Sequence, residues 1–328
     1  MSTDTTQAAG PSVQQFAGEA PTRIAKRLFH ATRPKFFPAS LLPVLAGTAW
    51  GSVVADRLDL SVFLLALFAT MCVHAGANVL NDVGDDDIGT DGNNDDRIYP
   101  YTGGSRFIQS GIMSSSSMAR HGIGLLIAAS VAGAILLYLK GPMILAFGAI
   151  GVLLAVLYSL GPARLSALGL GETAVGFAFG VLPVVGAAWL QSGVIDAKVF
   201  LFSLPISVWV AAILLINEVP DIAADAEAGK RTLPVRIGLG ATAAVYMFIH
   251  IGAVGVVAWL AFTGSLPLLS LLVPAGLLVP AAMAARSIRR GIDDREGMTR
   301  GIEATLGIHT VGSLWLIAVI VYLSITGA

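Results

Sequence analysis

An all-α protein that crosses a membrane many times is the fold class this sequence predicts, and three observations predict it. Hydrophobic residues make up 55% of the 328 residues and charged residues only 12%, where soluble proteins carry about a quarter charged. Apolar runs long enough to span a bilayer recur along nearly the whole chain. The Lys and Arg residues fall in alternate connections between those runs and leave the others almost bare.

In chain order, residues 1–22 are polar and poor in aromatics, with no apolar run ahead of a cleavage site. They are expected to form a disordered tail and not a signal peptide, leaving residues 23–328 as one membrane domain. A window of about 19 residues finds apolar spans near 38–54, 60–80, 122–139, 142–160, 171–190, 199–217, 241–262, 266–285 and 305–326. The expectation is nine transmembrane helices around one central cavity, capped by the loops between helices 2 and 3 and between helices 6 and 7. With the N-terminus inside, 17 of the 20 Lys and Arg residues lie on the inner side, and only Arg57, Lys140 and Lys198 lie outside. Positively charged loops stay in the cytoplasm, so the chain is placed in the cell (inner) membrane with a cytoplasmic N-terminus. Cys72 is the lone cysteine, which permits no intrachain disulfide and reads as a small packing residue. The net charge of −1 says nothing about partners, since it hides an acidic mouth opposed to basic loops, and no nucleic-acid partner is expected.

The chemistry concentrates in two acidic stretches. Residues 74–97 read HAGANVLNDVGDDDIGTDGNNDDR and follow directly on an apolar run. On a helix Asn78, Asn81, Asp82 and Asp85 fall three and four apart and share one face. Residues 216–238 read INEVPDIAADAEAGKRTLPVRIG, with Asn217, Asp221 and Asp225 four apart. Both open on N-[DE]-x-x-D, and together they hold 11 of the 21 acidic residues. Hard oxygen ligands of this kind suit Mg²⁺, which keeps its waters and shares phosphates. Two such clusters facing one cavity are suited to a diphosphate, because carboxylates hold the metals and the metals neutralise the oxyanions. Cations to complete a phosphate site stand beside them: Lys35, Arg97, Arg106, Lys230 and Arg231. Asp85 and Asp221 are the positions whose loss is expected to abolish activity.

These segments resemble the UbiA-type intramembrane prenyltransferases, and most of all the branch that acts on 1,4-dihydroxy-2-naphthoate in menaquinone synthesis. TRPKFFPASLLPVLAGTAW at 32–50 is similar to the family's opening helix, and NDVGDDDIGTD at 81–91 to its first Asp motif. LYSLGPARLSALGLGE at 157–172 resembles the end of its fourth helix, and the stretch from Asn217 its second motif. The family's N-D-x-x-D-x-x-x-D has Gly89 at its last position here, and Asp91 follows. A later Asp of this kind occurs in the naphthoate branch, and Asp91, Asp86 and Asp87 all remain candidates for the outer metal ligand.

The resemblance implies Mg²⁺-dependent transfer of a polyprenyl group from polyprenyl diphosphate to an aromatic acceptor. The metal set it implies is Asn81, Asp82, Asp85, Asp91, Asn217, Asp221 and Asp225. Tyr158, in the family's Tyr-Ser position, is the candidate for stabilising an allylic cation. His74 lies one turn before Asn78, and an ionisable group inside a membrane helix is a functional candidate; both are placed in the acceptor pocket. Other acceptors within the family are 4-hydroxybenzoate, homogentisate, a carotenoid or a lipid alcohol. The competing class is a cation-coupled transporter with acidic residues on broken helices, for which Pro220 would supply a break. Against it, the carboxylates cluster at one membrane surface and not at the midplane.

Overall fold

The computed structural model describes residues 10–89, 96–159 and 164–326, and every regular element among them is helical. The short helix α1 (Val13–Phe16) and α2 (Pro21–Ala31) come first. Phe16, within the stretch read as a tail, is buried with its ring centroid 4.9 Å from that of Phe107. An apolar side chain placed among polar residues thus finds a pocket on the later loop, while all but Pro11 and Phe16 of residues 10–22 are exposed. Next come α3 (Pro38–Ala55), α4 (Leu60–Ile88), α5 (Ser115–Lys140) and α6 (Met143–Ser159). The chain continues through α7 (Gly171–Val175), α8 (Leu182–Ser192), α9 (Ala197–Asn217) and α10 (Ile222–Glu227). The last elements are α11 (Leu233–Phe262), α12 (Leu272–Gly276), α13 (Leu278–Arg290) and α14 (Arg295–Thr326).

Among the described residues seven segments are long and apolar enough to cross a membrane: Pro34–Ala55, Leu60–Asp87, Ser115–Lys140, Gly171–Ser192, Ala197–Asn217, Leu233–Phe262 and Leu268–Thr326. The expected count of nine differs for two reasons. The run predicted at 142–160 holds α6, a 17-residue apolar helix shorter than the seven and at the lower limit of what a crossing takes. The last two predicted runs fall inside the single stretch Leu268–Thr326, which turns at Gly291–Asp294 between α13 and α14. This is a multi-pass membrane protein.

Local signals start several helices. Asp59 accepts from the Val62 N–H at 3.1 Å ahead of α4, Ser114 from Ser117 at 3.2 Å ahead of α5, and Asp196 from Val199 at 2.8 Å ahead of α9. Each satisfies an amide that the first helical turn leaves without a partner. Packing then uses small residues, as expected where no hydrophobic effect drives one helix onto another. A Cβ at Gly47 would lie 2.1 Å from the Val184 carbonyl oxygen and one at Gly51 2.3 Å from that of Ala188. The Gly-x-x-x-Gly face of α3 therefore lets α8 approach to backbone contact.

The bundle has two unlike halves. Residues of α8, α9, α11, α13 and α14, with Ala46 and Trp50 of α3, form one continuous core that includes Phe202, Trp209, Tyr246 and Met298. On the other side α4, α5, α6 and α8 stand around a cavity. Between α7 and α8 the helix widens over Gly176–Val181. The Gly176 carbonyl there accepts from Ser207 Oγ at 2.7 Å, and such widened turns cluster at functional sites.

Candidate active site

Asn81, Asp82 and Asp85 of the first acidic motif are helical, because α4 runs to Ile88 before Gly89 ends it in the left-handed region at φ 83°. The second is not. Helix α9 stops at Asn217, and Pro220, which has no N–H to donate, lies in the turn between it and α10. That turn folds Asp221 and Asp225 back toward the end of α4. Lys230 then joins the motifs: its Nζ donates to Asp85 Oδ1 at 2.6 Å and lies 3.8 Å from Asp225 Oδ1. Asp85 Oδ2 accepts from Asn81 Nδ2 at 2.8 Å.

These residues form the mouth of a cavity of about 970 Å³, which Asn81, Asp85, Asn217, Asp221, Asp225 and Lys230 all line. Its other end reaches Leu136, Leu137, Ile144 and Leu190. Along α4 the lining runs from Asp85 back to Ala66, about 28 Å at the helical rise per residue. The site is thus a polar mouth on a deep apolar slot.

His74 lines the slot, with Nδ1 2.7 Å from Ser40 Oγ and its ring edge-on to Phe179 at 4.9 Å and Phe37 at 5.7 Å. Asn78 also lines it and donates to the Thr32 carbonyl at 3.0 Å. Tyr158 lines the opposite wall, held where Ser166 Oγ donates to its carbonyl at 2.7 Å. Thr102, Gly103 and Gly104 close the mouth from the loop, and both glycines have φ 71°. That conformation is easy for glycine and lets the backbone itself border the site.

Other expected site residues lie elsewhere. Asp82 is buried beside the cavity and not in its wall, where it accepts from the Ser105 N–H at 3.0 Å and lies 4.0 Å from Arg33 Nη1. Its place is behind the 96–114 loop, which it ties to α4. Lys35 sits over the Tyr101 ring at 4.9 Å, and the Arg97 carbonyl accepts from Arg295. Neither they nor Arg106 and Arg231 line the cavity. Asp86 accepts from Gln109 at 3.0 Å. Asp91 lies outside the described residues.

Sequence reasoning passed over two features. Arg33 lines the cavity, with φ 58° and a hydrogen bond of 3.3 Å to the Tyr101 carbonyl; its only signal was a cation directly before the first span. Glu172 and Glu218 are both buried, and among the described residues each has one carboxyl oxygen without a hydrogen-bond partner. Burial, then the neighbouring Glu172 carboxylate, pushes the Glu218 carboxyl up. Burial likewise pushes Asp225 up to about 7, opposed by the Lys230 ammonium.

Four carboxyl side chains, Asp85, Glu218, Asp221 and Asp225, line the mouth together with the cations Arg33 and Lys230. The Lys230 ammonium already stands between Asp85 and Asp225, and among the described residues Asn217 Oδ1 has no hydrogen-bond partner. Among the described residues no three acidic or His side chains converge into a closed cage. Such an open oxygen set fits a cation that keeps waters and shares a phosphate.

Residues 40–299 match the model of the UbiA prenyltransferase family. The chain is 32% identical over 220 residues to the 1,4-dihydroxy-2-naphthoate octaprenyltransferase of Haemophilus influenzae, covering 65% of this chain and 70% of that one. It is 31% identical over 262 residues to the enzyme of the same name from Mycobacterium tuberculosis, covering 79% and 86%. A solved structure of a UbiA homolog from Archaeoglobus fulgidus bound to GPP and Mg²⁺ shares the fold with a TM-score of 0.57 at 15% identity, over 89% of this chain and all of that one. A pair of acidic motifs meeting over a deep apolar slot is thus found in a chain that belongs to the UbiA prenyltransferase family, and the protein is a prenyltransferase.

Proposed function

We propose that this enzyme transfers a polyprenyl group from polyprenyl diphosphate to 1,4-dihydroxy-2-naphthoate. The observation that carries the reading is the joining of one carboxylate-rich mouth to an apolar slot about 28 Å deep, lined from Asp85 to Ala66. A diphosphate head needs the first and an isoprenoid tail the second. The relatives' names support the naphthoate.

Asp85, Asp221 and Asp225, with the amide oxygens of Asn81 and Asn217, would hold Mg²⁺. When bound, the ion neutralises the charge that develops on the leaving diphosphate. Lys230 and Arg33 bind the diphosphate oxygens directly, as a point charge and a planar fork respectively, and the Gly103–Gly104 backbone lets the head approach closely. The apolar walls exclude water that would capture an allylic cation, and the Tyr158 ring face stabilises that cation. His74 and Asn78 orient the acceptor. The ring carbon bearing the carboxylate gains the prenyl group, and the carboxylate leaves as CO₂.

In the same reading the chain crosses the inner membrane nine times, counting α6 and dividing the last long stretch at Gly291–Asp294. The N-terminus and both acidic motifs face the cytoplasm, and the 96–114 and 218–232 segments cap the cavity. The test offers the purified enzyme Mg²⁺, a polyprenyl diphosphate, and either the naphthoate, 4-hydroxybenzoate or homogentisate, with products read by mass. A prenylated, decarboxylated naphthoate is expected to dominate; preference for a monocyclic acceptor overturns the assignment.

A further inference from the structure

The helix α2 (Pro21–Ala31) stands directly before the first membrane span, Pro34–Ala55, and is amphipathic along its whole length. At 100° per residue Pro21, Ile24, Ala25, Leu28 and Ala31 share one arc. Lys26 and Arg27 flank that arc, and Arg23 and His30 lie opposite it. Only Leu28 and Ala31 of the apolar arc pack inward, against Phe16, Val79 and Phe107. Ile24 remains 39% exposed and Phe29, at the arc's edge, 53%. Phe29 meets Phe37 edge-on at 6.2 Å, so this surface continues onto the first turn of the spanning helix.

The charge on α2 is one-sided. It contains no acidic residue, and among the described residues Arg23, Lys26 and Arg27 make no salt bridge. Their contacts are neutral: Arg23 donates to the Gln15 carbonyl and Arg27 to those of Phe16 and Gly18, each at 3.2 Å, while Lys26 lies over the Phe16 ring. A helix with an exposed apolar stripe, flanking cations and a position at a membrane entry fits the plane of the interface. Unpaired cations there attract anionic lipid at about 1 kcal/mol each.

We propose that α2 is an in-plane anchor for anionic lipid, with Ile24 and Phe29 seated at the acyl boundary and Arg23, Lys26 and Arg27 held by phosphate headgroups. This does not depend on the acceptor or on the metal. The test uses the full chain with Cys72→Ser and Phe29→Cys, labelled at the new thiol with a fluorophore. The protein is placed in nanodiscs of brominated phosphatidylcholine, alone or mixed with phosphatidylglycerol. Leu153→Cys, exposed on α6 and outside the cavity lining, serves as the control that is quenched in every lipid.

Quenching of the Phe29 probe that deepens with phosphatidylglycerol, and falls back in high salt, is the expected result. The double variant Arg23→Gln/Lys26→Gln leaves Arg27 to hold the α1 segment. It should lower the docked-to-undocked ratio in the anionic lipid about thirtyfold. A Phe29 probe that stays unquenched while Leu153→Cys is quenched overturns the anchor. Quenching that is equal in both lipids and indifferent to the double substitution overturns the headgroup contact.

Discussion

Lys230 Nζ lies 2.6 Å from Asp85 Oδ1 and 3.8 Å from Asp225 Oδ1, so one ammonium on the segment after α10 bridges the acidic motifs of two distant helices. It offsets repulsion between those carboxylates, to which the proposed function assigns Mg²⁺.

Lys230→Met should therefore show two separable effects. The diphosphate loses a cation, and kcat/KM for the prenyl donor should fall roughly 10²-fold, the scale seen when one preorganised electrostatic partner is removed. The carboxylates also lose their internal counter-charge. The variant's melting temperature in chelator should drop, and added Mg²⁺ should recover more stability than in the parent. Thermal scans with and without Mg²⁺ decide this. An unchanged metal dependence would mean that the ammonium does not compensate the cluster.

Asp82 and Asp85 are three residues apart yet should behave differently. Asp85 borders the cavity, and Asp85→Ala should remove nearly all turnover while leaving the fold intact; Asp221→Ala should do the same. Asp82 accepts from the Ser105 N–H and lies near Arg33. Asp82→Ala leaves a buried donor and a cation without their partner and should cost about 1–3 kcal/mol. It should also make the 96–114 loop sensitive to protease. Limited proteolysis beside single-turnover assays separates the two; equal protease resistance in both variants would refute the tie.

That contrast shows how far the residues alone could be read. Helical spacing puts Asn78, Asn81, Asp82 and Asp85 on one face, since a period of 3.6 specifies which side chains share a face, and Asn78, Asn81 and Asp85 line the cavity. It could not show that Asp82, at the edge of that face, meets the amide of Ser105 in a loop 23 residues later. The same limit hid Glu172, whose partner Glu218 comes from another helix. Arg33 was hidden because the side of the cavity on which the chain enters α3 is a matter of tertiary packing. Lys230 was legible for the opposite reason: it follows Asp225 so closely that the turn after α10 leaves it little choice of neighbour.

The contact of α3 with α8 should be intolerant of added volume. A Cβ at Gly47 would lie 2.1 Å from the Val184 carbonyl oxygen, a backbone atom that moves only if the whole helix moves. Gly47→Ala should destabilise the protein by about 1–3 kcal/mol, and Gly51→Ala by a similar amount. Gly124→Ala on α5, where nothing lies within 4 Å, should be near neutral. Melting temperatures in one detergent compare the three directly, and a Gly47 variant as stable as Gly124→Ala would show that the helices pack farther apart.

The apolar end of the slot should select tail length. Gly186 on α8 lines it opposite Phe147 on α6, and a Cβ at Gly186 would lie 3.3 Å from the Phe147 ring. Phe147 has little room to retreat, since its ring stands 5.8 Å from that of Trp189. Gly186→Leu therefore fills the passage between the mouth and the Leu136–Leu190 end and leaves the Asp85–Lys230 pair untouched. A short donor such as geranyl diphosphate needs only the upper part of the slot and should keep its kcat/KM within a fewfold. An octaprenyl donor must use the lower part, and its kcat/KM should fall roughly tenfold or more, at 1.4 kcal/mol of lost tail accommodation per decade. Phe147→Ala in the same background should restore the long donor by reopening the space. Equal losses for both donors would place the tail outside this slot.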